Sequence, residues 1–202
     1  MQALEGCRVL DVATFLASPE VAELGLLPTT TVLGPLPVLT VLNAGAYELA
    51  VHALDLGERD DPDVLLPGLA SIADVTGALV TRQGMTARVT AQTPWGGWVM
   101  DADPTGWSVT PVPPGKVNGV AIYASAGDIL DTAAGRVFGP TLLAQRRIRM
   151  QDLRRFMMLA PIVEAVPGIP GGAALRAAAR VMAGAAGLVD RIPGAGRIPG
   201  LR

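Results

Sequence analysis

The chain is poor in the residues from which active sites are most often built. It has one cysteine, Cys7, one histidine, His52, and one lysine, Lys116. A lone cysteine excludes an intramolecular disulfide and fits a reducing cytosol. No histidine or lysine stands beside it to lower its pKa, so Cys7 reads as an inert or buried thiol, not a nucleophile. A single histidine excludes a metal centre in which this chain supplies two imidazoles. Aromatic residues make up 4 % of the chain, and no basic residues interleave with the tryptophans, so they are expected in core or sheet-edge packing, not as a stacking platform for bases. The sequence also lacks a clean apolar leader: Glu5, Arg8 and Asp11 interrupt the first apolar run, and no signal peptide is expected. The later apolar stretch from Phe156 to Leu175 contains Glu164 and is broken by Pro161, Pro167 and Pro170, which argues against a membrane span there. A cytoplasmic protein, peripheral to the membrane at most, is the expectation.

What is present is enough to fold. The 202 residues allow one or two domains, and 50 % hydrophobic against 17 % charged residues argues for a real core. The net charge of −2 hides an asymmetry. Residues 140–202 hold ten arginines against Asp152, Glu164 and Asp190, a net of +7, which leaves −9 on the first 139 residues.

The stretch that organises the reading is Asn43 to Gly57, NAGAYELAVHALDLG. On a helix, Glu48, His52 and Asp55 fall at i, i+4 and i+7 and share a face. Gly57 is a stop signal. Two readings stand. One is a Glu48–His52 ion pair on a helix surface with Asp55 in solvent. The other is a metal site in which Glu48 and His52 are ligands one turn apart and Asp55 orients the imidazole. The second needs a further ligand from elsewhere.

The segment Glu48 to Leu56, ELAVHALDL, resembles part of the mycothiol-dependent maleylpyruvate isomerase-like proteins. The stretch Ala124 to Arg136, ASAGDILDTAAGR, resembles the helix that closes the second domain of that family. The two matches come in the family's order and cover about residues 36–137. The resemblance implies a DinB-like helical bundle that binds a divalent metal, followed by a small α+β domain similar to sterol carrier proteins. It implies metal ligation by Glu48 and His52, with zinc the first choice of metal and mycothiol as a thiol cofactor. It implies a supporting role for Asp55 and a substrate carboxylate held by Arg136. The bare alternative for Arg136 is a solvated helix-end arginine favoured by the helix dipole. The family's further metal histidine, on an earlier helix, has no counterpart here, so the bundle is read as shortened at its N-terminus.

In chain order, helices are expected at residues 2–17, from about Leu36 to Leu56, and from a cap at Asp63 to about Val80. A loop or short extended piece is expected at residues 24–37. From Thr86 the period changes to two, and short strands are expected at 86–92, 98–100, 107–112 and 119–123. A helix from Asp128 to Arg136 follows. A basic amphipathic helix is expected between Arg146 and Met158, and another helix over about Ala173 to Val189. The fold class is therefore α+β: a truncated DinB-like unit at 1–82, a sterol-carrier-like domain at 83–138 and a helical tail at 139–202. The leading function is a divergent isomerase-like protein with a residual metal site and doubtful catalysis. The rival is a non-catalytic carrier of a small hydrophobic ligand, with the tail on an anionic membrane or a protein partner. No nucleic-acid partner is expected, because no binding fold accompanies the charge.

Overall fold

The structure is a computed structural model and describes residues 19–156 together with Leu159 and Ile162. The helices expected at 2–17 and 173–189 lie outside the described residues. The chain folds as α+β, with helices gathered against a five-stranded sheet.

Helix α1 (Pro19–Leu26) leads into a two-stranded antiparallel hairpin, β1 (Pro28–Thr31) and β2 (Gly34–Pro37). The hydroxyl of Thr31 closes the hairpin turn, donating to the Gly34 carbonyl at 2.7 Å and accepting from the Leu33 N–H at 3.0 Å. The loop expected over 24–37 is thus a helix end and a hairpin. Pro28 and Pro37 pair at the open end of this isolated hairpin, and Pro35 sits within β2 opposite Thr30, in a two-stranded pair in which each strand is an edge that tolerates proline.

Pro37 is in extended conformation and opens helix α2 (Val38–Asp55). Helix α3 (Pro62–Arg82) follows after a charged turn. Its N-cap is Asp61, not Asp63: the Asp61 carboxylate accepts from the Asp63 N–H at 2.9 Å, and Pro62 occupies the first turn. That arrangement suits a proline, whose missing N–H would have no helical partner there. Among the described residues α3 is long and apolar enough to cross a membrane by length and composition. In this fold its apolar surface lies between α2 on one side and the sheet on the other.

The sheet runs β5 (Gly106–Val112), β4 (Gly96–Asp103), β3 (Ala87–Thr93), β6 (Val120–Tyr123) and β7 (Arg149–Gln151), with β3 and β6 parallel and the other pairs antiparallel. Alternation sends Ala87, Val89 and Ala91, opposite Ala102, Met100 and Trp98, toward the helices. Trp98 donates its indole N–H to the Leu66 carbonyl of α3 at 2.9 Å. Trp107 donates to Asp74 of α3 at 2.7 Å, and the other oxygen of Asp74 accepts from Asn43 of α2 at 3.1 Å. The tryptophans therefore pin α3 to the sheet.

Helix α4 (Ala126–Ala133) packs against α2 and α3. It starts at a Ser125 cap, two residues earlier than expected. A short α5 (Gly139–Ala144) and a one-turn α6 (Leu153–Phe156) flank β7. Strand β7 corrects the basic helix expected from Arg146 to Met158. Ile148 and Met150 alternate with exposed Arg149 and Gln151, a period of two that pairs with β6 at Ile122↔Met150. Arg146 and Asp152, at φ of 59° and 56°, bound the strand. Leu159 and Ile162 then join the core beside Leu36, Val80 and Met100.

Two glycines set the approach of α3 to its neighbours. A Cβ on Gly68 would lie 2.5 Å from the Ala50 methyl of α2, and one on Gly77 would lie 2.6 Å from the Trp107 ring. Gly68→Ala should gain about 1 kcal/mol of helix propensity but lose more through overpacking of about 1–3 kcal/mol, because a methyl on a helix backbone cannot rotate aside. The expected outcome is a lower denaturation midpoint in urea. An unchanged or raised midpoint would contradict this packing.

Candidate functional site

Helix α2 has two opposite faces. Thr40, Ala50, Val51 and Leu54 are buried against the rest of the fold. Leu42, Leu49, Leu56 and His52 point the other way, with the His52 side chain 71 % exposed and Glu48 also exposed. The helix ends, as its glycine predicts, at Gly57, where the Glu58 N–H reaches the Ala53 carbonyl at 3.0 Å.

The expected site residues are placed as follows. His52 Nδ1 lies 3.4 Å from Asp55 Oδ2. No Glu48–His52 ion pair occurs among the described residues, so the surface-pair reading changes partner from i−4 to i+3. Nor is Asp55 left to solvent. Its two oxygens accept from Arg136 Nη1 at 2.7 Å and Nη2 at 2.8 Å, a fork-on-fork pair. Arg136 also donates to the Val51 carbonyl at 3.2 Å. The guanidinium expected to hold a substrate carboxylate thus holds one from its own chain.

The end of α4 explains this pairing. Gly135 adopts φ of 69°, a left-handed conformation that a side chain would resist. Its N–H bonds the Thr132 carbonyl at 3.1 Å, and the Arg136 N–H bonds the Asp131 carbonyl at 2.9 Å. This closing turn sets Arg136 beside the last turn of α2. The two stretches that carry the family resemblance therefore meet at Asp55 and Arg136.

A second layer of charge lies behind them. The Asp131 and Asp128 side chains of α4 are each only 8 % exposed. Asp131 pairs with Arg59 Nη1 at 3.1 Å and lies 3.8 Å from Arg136 Nη1. Asp128 pairs with Arg147 through Nη2 and through Nε at 3.3 Å. The sequence reading missed both carboxylates and both new arginines. A signal existed for Asp128: Ser125 stands three residues before it, a capping pattern, and the serine oxygen accepts from the Asp128 N–H at 3.1 Å. Nothing in the spacing could have assigned Arg59 or Arg147.

The charges act on one another. Arg136, by hydrogen bonding first, holds the Asp55 carboxyl below the ordinary carboxylate range, with His52 adding less. Asp55 in turn raises Arg136. Burial, followed by the charge of Glu48, raises the Tyr47 phenol. Among the described residues no group of three or more His, Cys, Asp or Glu side chains is placed to hold a metal ion. Two donors on an open face do not fit a closed or catalytic metal centre, which takes at least three protein ligands.

No family model matches the chain, and neither a curated protein nor a solved structure does.

Because the folded-state pKa of Asp55 is depressed, its pair with Arg136 stabilises the fold above the unfolded carboxylate value of about 3.9. That stabilisation is lost as pH falls through the lower folded value. Asp55→Asn should therefore be less stable than wild type near neutral pH, and the gap should close toward zero at strongly acid pH. Urea midpoints at the two extremes check this. A gap of equal size at both would contradict it.

Proposed function

We propose that the chain is a divergent relative of the mycothiol-dependent maleylpyruvate isomerase-like proteins that acts as a non-catalytic binding module. In this reading α2 and α3 are the remnant of a DinB-like bundle, and the five-stranded sheet with α4 is the sterol-carrier-like unit. The order of the elements supports this, as does the meeting of the two resembling stretches. The observation that carries the loss of catalysis is the fork between Asp55 and Arg136. It engages, within the chain, the carboxylate that would orient a metal-bound imidazole and the guanidinium that would hold substrate. Glu48 and His52 are left as two donors on the outward face of a helix. The occupant of such a module is a small apolar ligand or a protein partner, and its setting is the cytoplasm.

A second reading keeps a residual divalent metal, zinc by preference, on Glu48 and His52. The 3.4 Å approach of Asp55 to the imidazole favours it, since ligating histidines commonly donate their other nitrogen to a carboxylate. In that case mycothiol would be the thiol cofactor.

Cobalt(II), whose visible spectrum reports tetrahedral coordination, separates the two. The binding-module reading expects no saturable tetrahedral absorbance and no difference between wild type and His52→Ala. Stoichiometric binding that His52→Ala abolishes would overturn it in favour of the metal reading.

A further inference from the structure

We propose that the outward face of α2 is the docking surface for a protein partner that presents a basic amphipathic helix. The proposal rests on the binding-module reading and names that module's partner. Of the nine large apolar side chains left exposed among the described residues, all but Phe138 lie between Leu24 and Leu56. Scattered exposed leucines are ordinary, but a patch of them marks an interaction site. Leu42, Leu49 and Leu56 are 66 %, 71 % and 85 % exposed and stand seven residues apart, on the side of α2 away from buried Val51 and Leu54. Gly45 falls three residues after Leu42 and His52 three after Leu49, and both are exposed. The spacing 42, 45, 49, 52, 56 is the three-four alternation of a helix–helix seam. It runs for about 21 Å, nearly four turns. At its N-terminal end α1 comes close to Leu39, where a Cβ on Gly25 would lie 3.3 Å from the Leu39 Cβ. That junction leaves Leu24, Leu26 and Leu27 exposed as well.

Gly45 is a second, independent observation. A glycine inside a helix costs stability relative to alanine. In α3 the reason for it is visible, because a Cβ on Gly68 or Gly77 would lie 2.5 Å or 2.6 Å from a neighbouring side chain. At Gly45 a Cβ would meet nothing within 4 Å beyond the helix's own backbone. No described neighbour needs the space. Its place on the seam, between Leu42 and Leu49, makes it a notch that a partner's side chain can enter, as a knob enters a hole.

Charge decides the occupant. Helix α2 contains Glu48 and Asp55 and no lysine or arginine. Glu48 is exposed, as are Glu58 and Asp60 in the turn that follows. The arginines that reach this end of α2, Arg136 and Arg59, are paired with Asp55 and Asp131. A second copy of the chain would bring the same acidic flank against this one, and an anionic membrane would be repelled by it. A helix with arginine or lysine beside its apolar stripe satisfies the leucines and the carboxylates together.

The test uses the full chain in EDTA and a fluorescein-labelled helical peptide of about 16 residues, with leucine at every seventh position and arginine along one flank. Fluorescence anisotropy should show saturable binding that weakens as salt rises. Replacing the flanking arginines by glutamate should weaken it at least about tenfold. Gly45→Trp should abolish it without lowering the thermal melt, because the added ring enters open space. Ser108→Trp on the edge strand β5 should leave binding unchanged. Equal binding of the two peptides, or binding that survives Gly45→Trp, would overturn the proposal. No binding to the full chain would overturn it too, since the face would then be covered by the chain itself. A dimer in sedimentation that Gly45→Trp dissociates would make a second copy the occupant, and phosphatidylserine vesicles that displace the peptide would make it a membrane. Each of these also overturns the proposal. A saturable cobalt(II) spectrum lost in His52→Ala, with peptide binding intact, would sink the non-catalytic reading and leave the docking surface standing.

Discussion

The fold depends on the burial of α3 between α2 and the sheet. Leu65 and Val80 are fully buried and Leu69 is 1 % exposed. Each such side chain contributes about 1.5–3 kcal/mol. The hydrogen bonds from Trp98 and Trp107 to the same helix contribute about 0.5–1.5 kcal/mol each. Burial therefore supplies most of the stability, and the indoles fix where α3 sits. Asp74 joins three layers at once, accepting from Trp107 of β5 and Asn43 of α2. Glycine at 68 and at 77 lets the helix come close on both sides. A helix with this much apolar surface would suit a membrane by composition alone. Here a second helix and a sheet face replace the lipid.

With α3 fixed, the position of α4 decides what the candidate site becomes. Helix α4 lies against both α2 and α3, and its closing turn delivers Arg136 to Asp55. Its buried carboxylates draw in Arg59 from the turn after α2 and Arg147 from the segment before β7. Removing either arginine would leave a nearly buried carboxylate without its partner, which costs more than leaving a neutral buried group unpaired. Asp55 and Arg136, which the resemblance places in a metal and substrate site, therefore hold α2 and α4 together, while Glu48 and His52 stay on the outward face of α2.

The legible parts of the sequence were those governed by local chemistry. The period-two runs at 86–92 and 107–112 became strands β3 and β5, and the segment of Glu48 and His52 became a helix ended at Gly57. The α+β class followed from these. What could not be read was set by distance along the chain. Asp55 and Arg136 are 81 residues apart and Arg59 and Asp131 are 72 apart, and no spacing rule links them. The same limit explains β7. Arg149, Met150 and Gln151 form three residues of alternation inside a longer basic stretch, and they become a strand because β6 offers an unpaired edge. The outward direction of His52 was equally hidden, since a helical face can be identified from sequence but not which side of it the core will take.

Helix α3 packs on both α2 and the sheet, so the helical pair and the sheet are expected to unfold as one cooperative unit. Unfolding in urea followed by two probes tests it most directly. Far-UV circular dichroism reports mainly the helices, and tryptophan fluorescence reports Trp98 and Trp107 on the sheet and Trp95 in the turn between β3 and β4. Coincident transitions with a single midpoint are predicted. A fluorescence transition separated from the loss of helix would show that the two parts fold apart and would contradict the account.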